Sequence, residues 1–108
     1  MSKFIIKQIR NGLFYFNLRA ENSEIILTSQ GYTSKQGCIN GINSVKMNAT
    51  FDGSFMRMKS SNGKFYFNLK SQNGAVVGTS EMYCSSQSME NGVDAVKRDA
   101  SNAIVAEQ

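Results

Sequence analysis

The chain has 108 residues and a mass of 11.9 kDa, enough for one compact domain, residues 1–108, and too little for two. Hydrophobic residues at 41% and charged residues at 19% are globular values, and the net charge of +4 is spread as single Lys and Arg residues, so a disordered or fibrous chain is excluded. No His is present, which removes the commonest acid–base group and the commonest zinc ligand.

The N-terminal stretch Met1–Gln8 lacks the apolar core of a secretory signal, and no apolar run is long enough for a bilayer. A soluble, cytoplasmic protein with no membrane contact is expected. Phe4–Gln8 reads as a first strand. Asn11-Gly12 is a tight-turn signal, and Phe14–Arg19 then alternates: Phe14, Phe16 and Leu18 to one side, Tyr15, Asn17 and Arg19 to the other. After a turn at Glu21-Asn22-Ser23, Ile25–Thr28 reads as a third strand. The period then changes. Cys38, Ile42, Val45 and Ala49 lie on one helical face, with Thr33–Gln36 as a capping box or Ser34 as the cap. Gly41 sits inside this helix, where Gly costs about 1 kcal/mol against Ala; close approach of helix to sheet accounts for it.

The second half repeats the first. At an offset of 51 residues, 11–49 and 62–100 share 18 identities in 39 positions without a gap. Chance would give roughly two or three with ordinary composition. The repeats are 1–51 and 52–108. Phe55–Lys59, Phe65–Lys70 and Val76–Thr79 are the matching strands; Met89, Val93, Val96 and Ala100 form the matching helical face behind the Ser85 cap; Ala103–Ala106 is a last strand. No Gly/Ser/Pro linker separates the halves, and each is marginal as an independent core. The pattern predicts an α+β fold: βββαβ repeats joined in one pseudo-two-fold antiparallel sheet, with two helices on one face.

The runs Asn62–Lys70, Asn73-Gly74 and Gly78–Tyr83, with the helical Asn40–Lys46 and Asn91–Lys97, resemble the YegP-like family of small bacterial proteins of uncharacterised function. The likeness covers nearly the whole chain in both copies. Ser23 departs from it where a turn Gly is usual, and Leu27 where Gly78 is small. The resemblance implies tandem βββαβ units that exchange C-terminal strands, and it brings no activity and no site residues.

Chemistry-bearing constellations are scarce. Cys38 and Cys84 are 46 residues apart with no CxxC and no His, so neither a metal site nor a catalytic thiolate is expected, and a single disulfide is left open. Glu90 and Asp94, four apart on a helix, read as a solvated face, as does Asp99. Tyr32 and Tyr83 precede the helix caps in both copies and read as rings tucked under the helix starts. No cofactor, no metal and no enzyme are expected. What remains is the helix-free side of the sheet, where Tyr15, Asn17, Arg19, Tyr66, Asn68 and Lys70 project. Such residues are ordinary on a solvated face, but tyrosines beside cations also suit a single-stranded nucleic acid. Charge adds to this: residues 1–51 hold six basic and two acidic residues, residues 52–108 six of each. The expected function is a non-catalytic binding module of unknown ligand, with single-stranded nucleic acid as the alternative and a protein as the other partner class. A monomer is expected, with weak self-association through any unpaired edge strand.

Overall fold

The computed structural model describes residues 1–108. In chain order the elements are β1 (Lys3–Gln8), β2 (Phe14–Arg19), β3 (Ile25–Thr28), α1 (Lys35–Asn48), β4 (Phe55–Lys59), β5 (Phe65–Lys70), β6 (Val76–Thr79), α2 (Ser86–Asp99) and β7 (Ile104–Glu107). Short 3-10 turns at Asp52–Ser54 and Ala100–Asn102 lead into β4 and β7. Ser34 and Ser85 cap the helices, accepting from Gly37 N at 2.9 Å and Ser88 N at 3.1 Å; Thr33 is not the cap. The turn before β6 takes a left-handed residue, Gly74 at φ 85°; its counterpart before β3, Ser23, adopts φ 69° despite its side chain.

The strands form one seven-stranded sheet in the order β4-β5-β6-β3-β2-β1-β7. Each repeat is an antiparallel meander, and the meanders meet at β3 and β6 through one register pair, Thr28 with Thr79. The sheet differs from the expected pattern in two linked ways. β7 pairs with β1 in parallel, so the sheet is mixed at that edge. Strand donation also runs one way: the second repeat gives β7 to the first, and nothing comes back. After α1 the chain runs through a six-residue connection, residues 49–54, into β4, the first strand of the second repeat, so no separate strand exists to donate.

Both helices pack on one face. The expected helical faces are buried, with Cys38, Ile42, Val45, Ala49, Met89, Val93, Val96 and Ala100 all in the core. Phe16 and Phe67 are 1% and 0% exposed, and each such ring adds about 1.5–3 kcal/mol by leaving water. Phe16 makes an edge contact with Phe4 at 5.7 Å and stacks on Tyr32 at 6.3 Å. The glycine inside each helix has its explanation here. A Cβ on Gly41 would stand 2.3 Å from the Tyr32 hydroxyl, and one on Gly92 2.4 Å from that of Tyr83. The tyrosines are thus tucked beneath the helices.

Leu27 and Gly78 occupy equivalent positions in the two repeats and meet at the pseudo-axis. A Cβ on Gly78 would lie 2.6 Å from Leu27 Cγ. Two large residues cannot both fit, so one repeat carries Leu and the other Gly. Gly78→Ala is therefore expected to cost about 1–3 kcal/mol by overpacking. The swap Leu27→Gly with Gly78→Leu should recover a large part of the loss. Urea denaturation of the parent, the single variant and the swap checks this; a Gly78→Ala variant as stable as the parent would show that the seam yields.

Candidate binding face

In β1, Phe4 and Ile6 are buried beneath the helices, so alternation sends Lys3, Ile5 and Lys7 to the other side. In β2 and β5, the burial of Phe16, Leu18, Phe67 and Leu69 sends Tyr15, Asn17, Arg19, Tyr66, Asn68 and Lys70 the same way. All six expected residues lie on the helix-free face, each half-buried by its sheet neighbours.

Register places them more closely than alternation can. Ile5, Asn17, Thr28, Thr79, Asn68 and Met56 pair in succession across the sheet, forming one row perpendicular to the strands. Its centre is polar: Thr79 Oγ1 donates to Asn68 Oδ1 at 2.8 Å, and Asn17 Oδ1 accepts from Arg19 Nε at 3.0 Å. β2 and β5 run in opposite directions with two strands between them, about 14 Å apart at ordinary strand spacing. One flank of the row therefore carries Lys7, Tyr15 and Lys70, and the other Lys3, Arg19 and Tyr66. The cation of each repeat shares a flank with the tyrosine of the other.

The two tyrosines are not equivalent. The Tyr15 hydroxyl would be 2.9 Å from a Cβ on Gly31, so its ring end rests over that glycine; the second repeat has Met82 there, exposed. Tyr66 is paired instead with Met58.

Charge separates the two sides of the sheet. Lys3, Lys7, Arg19 and Lys70 form no ion pair, and no Asp or Glu stands at a strand position of their face. Glu21, in the β2–β3 turn, borders one corner, in a depression of about 250 Å³ shared with Lys3, Ile5 and Arg19. The ion pairs between side chains that join separate elements lie on the helix side, where Lys46 and Lys59 instead stand over the Phe4 and Phe65 rings. Arg57 bridges Glu90 at 2.9 Å and Asp52 at 2.9 Å, Lys97 reaches Asp52 at 2.7 Å, and Lys35 pairs with Glu107. Glu90 is thus not the free solvated carboxylate expected from the helix pattern, because β4 points Arg57 up at α2. Asp99 departs from expectation as well: its side chain is 11% exposed and takes Arg98 Nε at 3.0 Å. Cys38 is buried and Cys84 exposed, both as free thiols.

The sequence reading missed Lys3, Lys7, Thr28 and Thr79 as members of this face. For the lysines the signal was present in the alternation around Phe4 and Ile6. The threonines needed the β3–β6 register, which no local pattern encodes.

Arg57 first, then Lys97, holds the Asp52 carboxyl down at about 2, against an ordinary 3.8, and Arg57 likewise lowers Glu90. A depressed carboxylate stabilises the fold fully above the unfolded value and loses that contribution as pH falls through the folded one. Asp52→Asn should therefore flatten the pH dependence of stability between about 4 and 2. Thermal melts across that window check it; identical acid limbs for variant and parent would refute it.

Comparison with known proteins matches both halves. A domain of unknown function, DUF1508, matches residues 10–53 and again 60–107. A UPF0339 protein of Pseudomonas aeruginosa is 45% identical, over 99% of this chain and 97% of its own. YegP of Escherichia coli is 41% identical, over 94% and 93%. The solution structure of the Escherichia coli YegP protein, described as of unknown function, superposes with a TM-score of 0.94 at 39% identity, covering 99% of this chain and 92% of that one. A UPF0339 protein from Shewanella oneidensis superposes at 0.93, with 36% identity over 98% and 90%. An α+β sheet built from a duplicated unit, matched along nearly its full length in sequence and in structure, places this chain in the UPF0339 family, as a tandem pair of DUF1508 units.

Proposed function

We propose that this chain is a non-catalytic binding module whose working surface is the helix-free face of its sheet, and that its ligand is polyanionic. The observation that carries this reading is the separation of charge. Four cations on that face lack carboxylate partners, while Asp52, Glu90, Asp99 and Glu107 are neutralised elsewhere. An ion pair already made has little left for a ligand; an unpaired Lys or Arg on a half-buried surface attracts an anion. A non-catalytic role is supported by the absence of His and by the engagement of Asp52, Glu90, Asp99 and Glu107 with cations rather than with one another. No helix is long and apolar enough to cross a membrane.

Among polyanions, single-stranded nucleic acid is favoured by Tyr15 and Tyr66. Each lies on the same flank as cations, so a base can stack while its phosphates meet Lys or Arg. A protein partner would use the same face, and a uniformly acidic one would mimic the phosphates.

Fluorescence anisotropy with labelled single-stranded oligonucleotides tests the reading. If all four cations contact phosphate, the logarithm of the association constant should fall with the logarithm of salt concentration with a slope of about −3. Loss of one stacking tyrosine should weaken binding by about 1–3 kcal/mol, so the pair Tyr15→Ala/Arg19→Ala should abolish it near physiological salt. No binding at low salt, by parent protein and variant alike, would remove nucleic acid as the ligand.

A further inference from the structure

The duplication provides an internal comparison of two sheet edges. The offset of 51 carries β1 onto β4, Phe4 onto Phe55, Ile6 onto Arg57, and Ile39 onto Glu90. β1 is not an edge, because β7 lies along it: Ile104 N donates to Ser2 O at 3.2 Å and Gln108 N to Ile6 O at 2.9 Å. β4 has β5 on one side and no strand on the other.

The side chains follow this difference. Under the covered strand, Ile6 is 3% exposed and Ile39 packs against the core. Under the uncovered one stand Arg57 and Glu90, joined at 2.9 Å. Backbone groups follow it too. The Phe55 N–H, turned away from β5, donates to Asp52 O and closes the 3-10 turn. Phe55 O has Arg57 Nη1 at 3.4 Å, and Asp52 fixes the same guanidinium at 2.9 Å. In β4 the outward donor and acceptor of Phe55, the counterpart of Phe4, are thus occupied from within the same repeat, while Gly53 O and Arg57 O, the counterparts of Ser2 O and Ile6 O, are left for a further strand. A free edge blunted in this way resists pairing with other chains.

We infer that β4 is a second strand-accepting edge, that its complement is the C-terminal strand of another copy of this chain, and that Arg57, held by Asp52 and Glu90, keeps it shut. β7 is the occupant because it already sits on the equivalent edge. In the same register on β4, Val105 would face Phe55 and Glu107 would face Arg57, as they face Phe4 and Ile6 on β1. The incoming Glu107 carboxylate would compete with Asp52 and Glu90 for one guanidinium. β7 is also a short edge strand with little cover: it has four residues, and Ile104 and Val105 are each 47% exposed.

The test gives the second edge the side chains of the first, in the variant Arg57→Ile/Glu90→Ile. Its mass by light scattering should rise twofold, from one chain to two, at concentrations where the parent remains a single chain. A synthetic peptide of residues 102–108 should bind the variant at least tenfold more tightly than the parent and return it to one chain. A folded variant that keeps a one-chain mass and ignores the peptide overturns the inference, and so does a parent already paired through β4. Should the double Ile variant fail to fold, Arg57→Gln/Glu90→Gln removes both charges while keeping polar side chains at these positions. The same twofold mass and peptide response are expected of it, and a folded one-chain protein blind to the peptide again overturns the inference.

Discussion

The two halves of this molecule depend on a very short seam. β3 and β6 share one register pair, and just beneath it the Leu27 side chain fills the place where Gly78 has none. Backbone pairing of that length cannot hold two marginal cores together alone. The helices supply the rest. α1 lies against β6 and β5 of the other repeat as well as against its own β2, and α2 lies against β3. Each half therefore roofs part of its neighbour's sheet, and removing either would expose the partner's core. The Leu–Gly pair lets the sheets approach closely enough for that roofing, at the one point where strict symmetry would fail.

Much of this was legible in the sequence, for identifiable reasons. Phe14 to Leu18 alternates strictly because one side of β2 is sealed by helices. The Cys38–Ile42–Val45–Ala49 stripe is unbroken because α1 presents that face to the core. Gly41 and Gly92 stand out because a tyrosine hydroxyl occupies the place of their Cβ. What could not be read depends on register between distant segments. The parallel seating of β7 on β1 leaves no mark in the periodicity of either strand. The Arg57–Glu90 pair joins a strand to a helix 33 residues on, and from the helix alone Glu90 resembles any solvated carboxylate. The polar row through Thr28 and Thr79 arises only where the repeats touch.

The inexact duplication also carries information. Where the two repeats agree, as in Phe16/Phe67 and Tyr32/Tyr83, the residues build the common fold. Where they differ, the difference tracks the surroundings. Ile6 lies under a covered strand and Arg57 under a bare one; Leu27 faces a glycine, and Gly78 faces that leucine. Ser23 keeps a left-handed turn that Gly74 makes without steric cost, which shows the turn geometry outlasting the residue best suited to it.

The near-symmetry of the helix-free face bears on directionality. A single strand of nucleic acid, or any extended chain, has a head and a tail, whereas a surface with an approximate dyad at its centre looks the same after half a turn. Such a ligand laid over the Thr28–Thr79 midpoint meets tyrosine, asparagine and a cation in the same sequence whichever way it points. The flanking strands break the tie in charge: β1 offers Lys3 and Lys7 where β4 offers Ser54 and Met58. A preference for one polarity would draw on that lysine-bearing margin and on the unequal seats of Tyr15 and Tyr66.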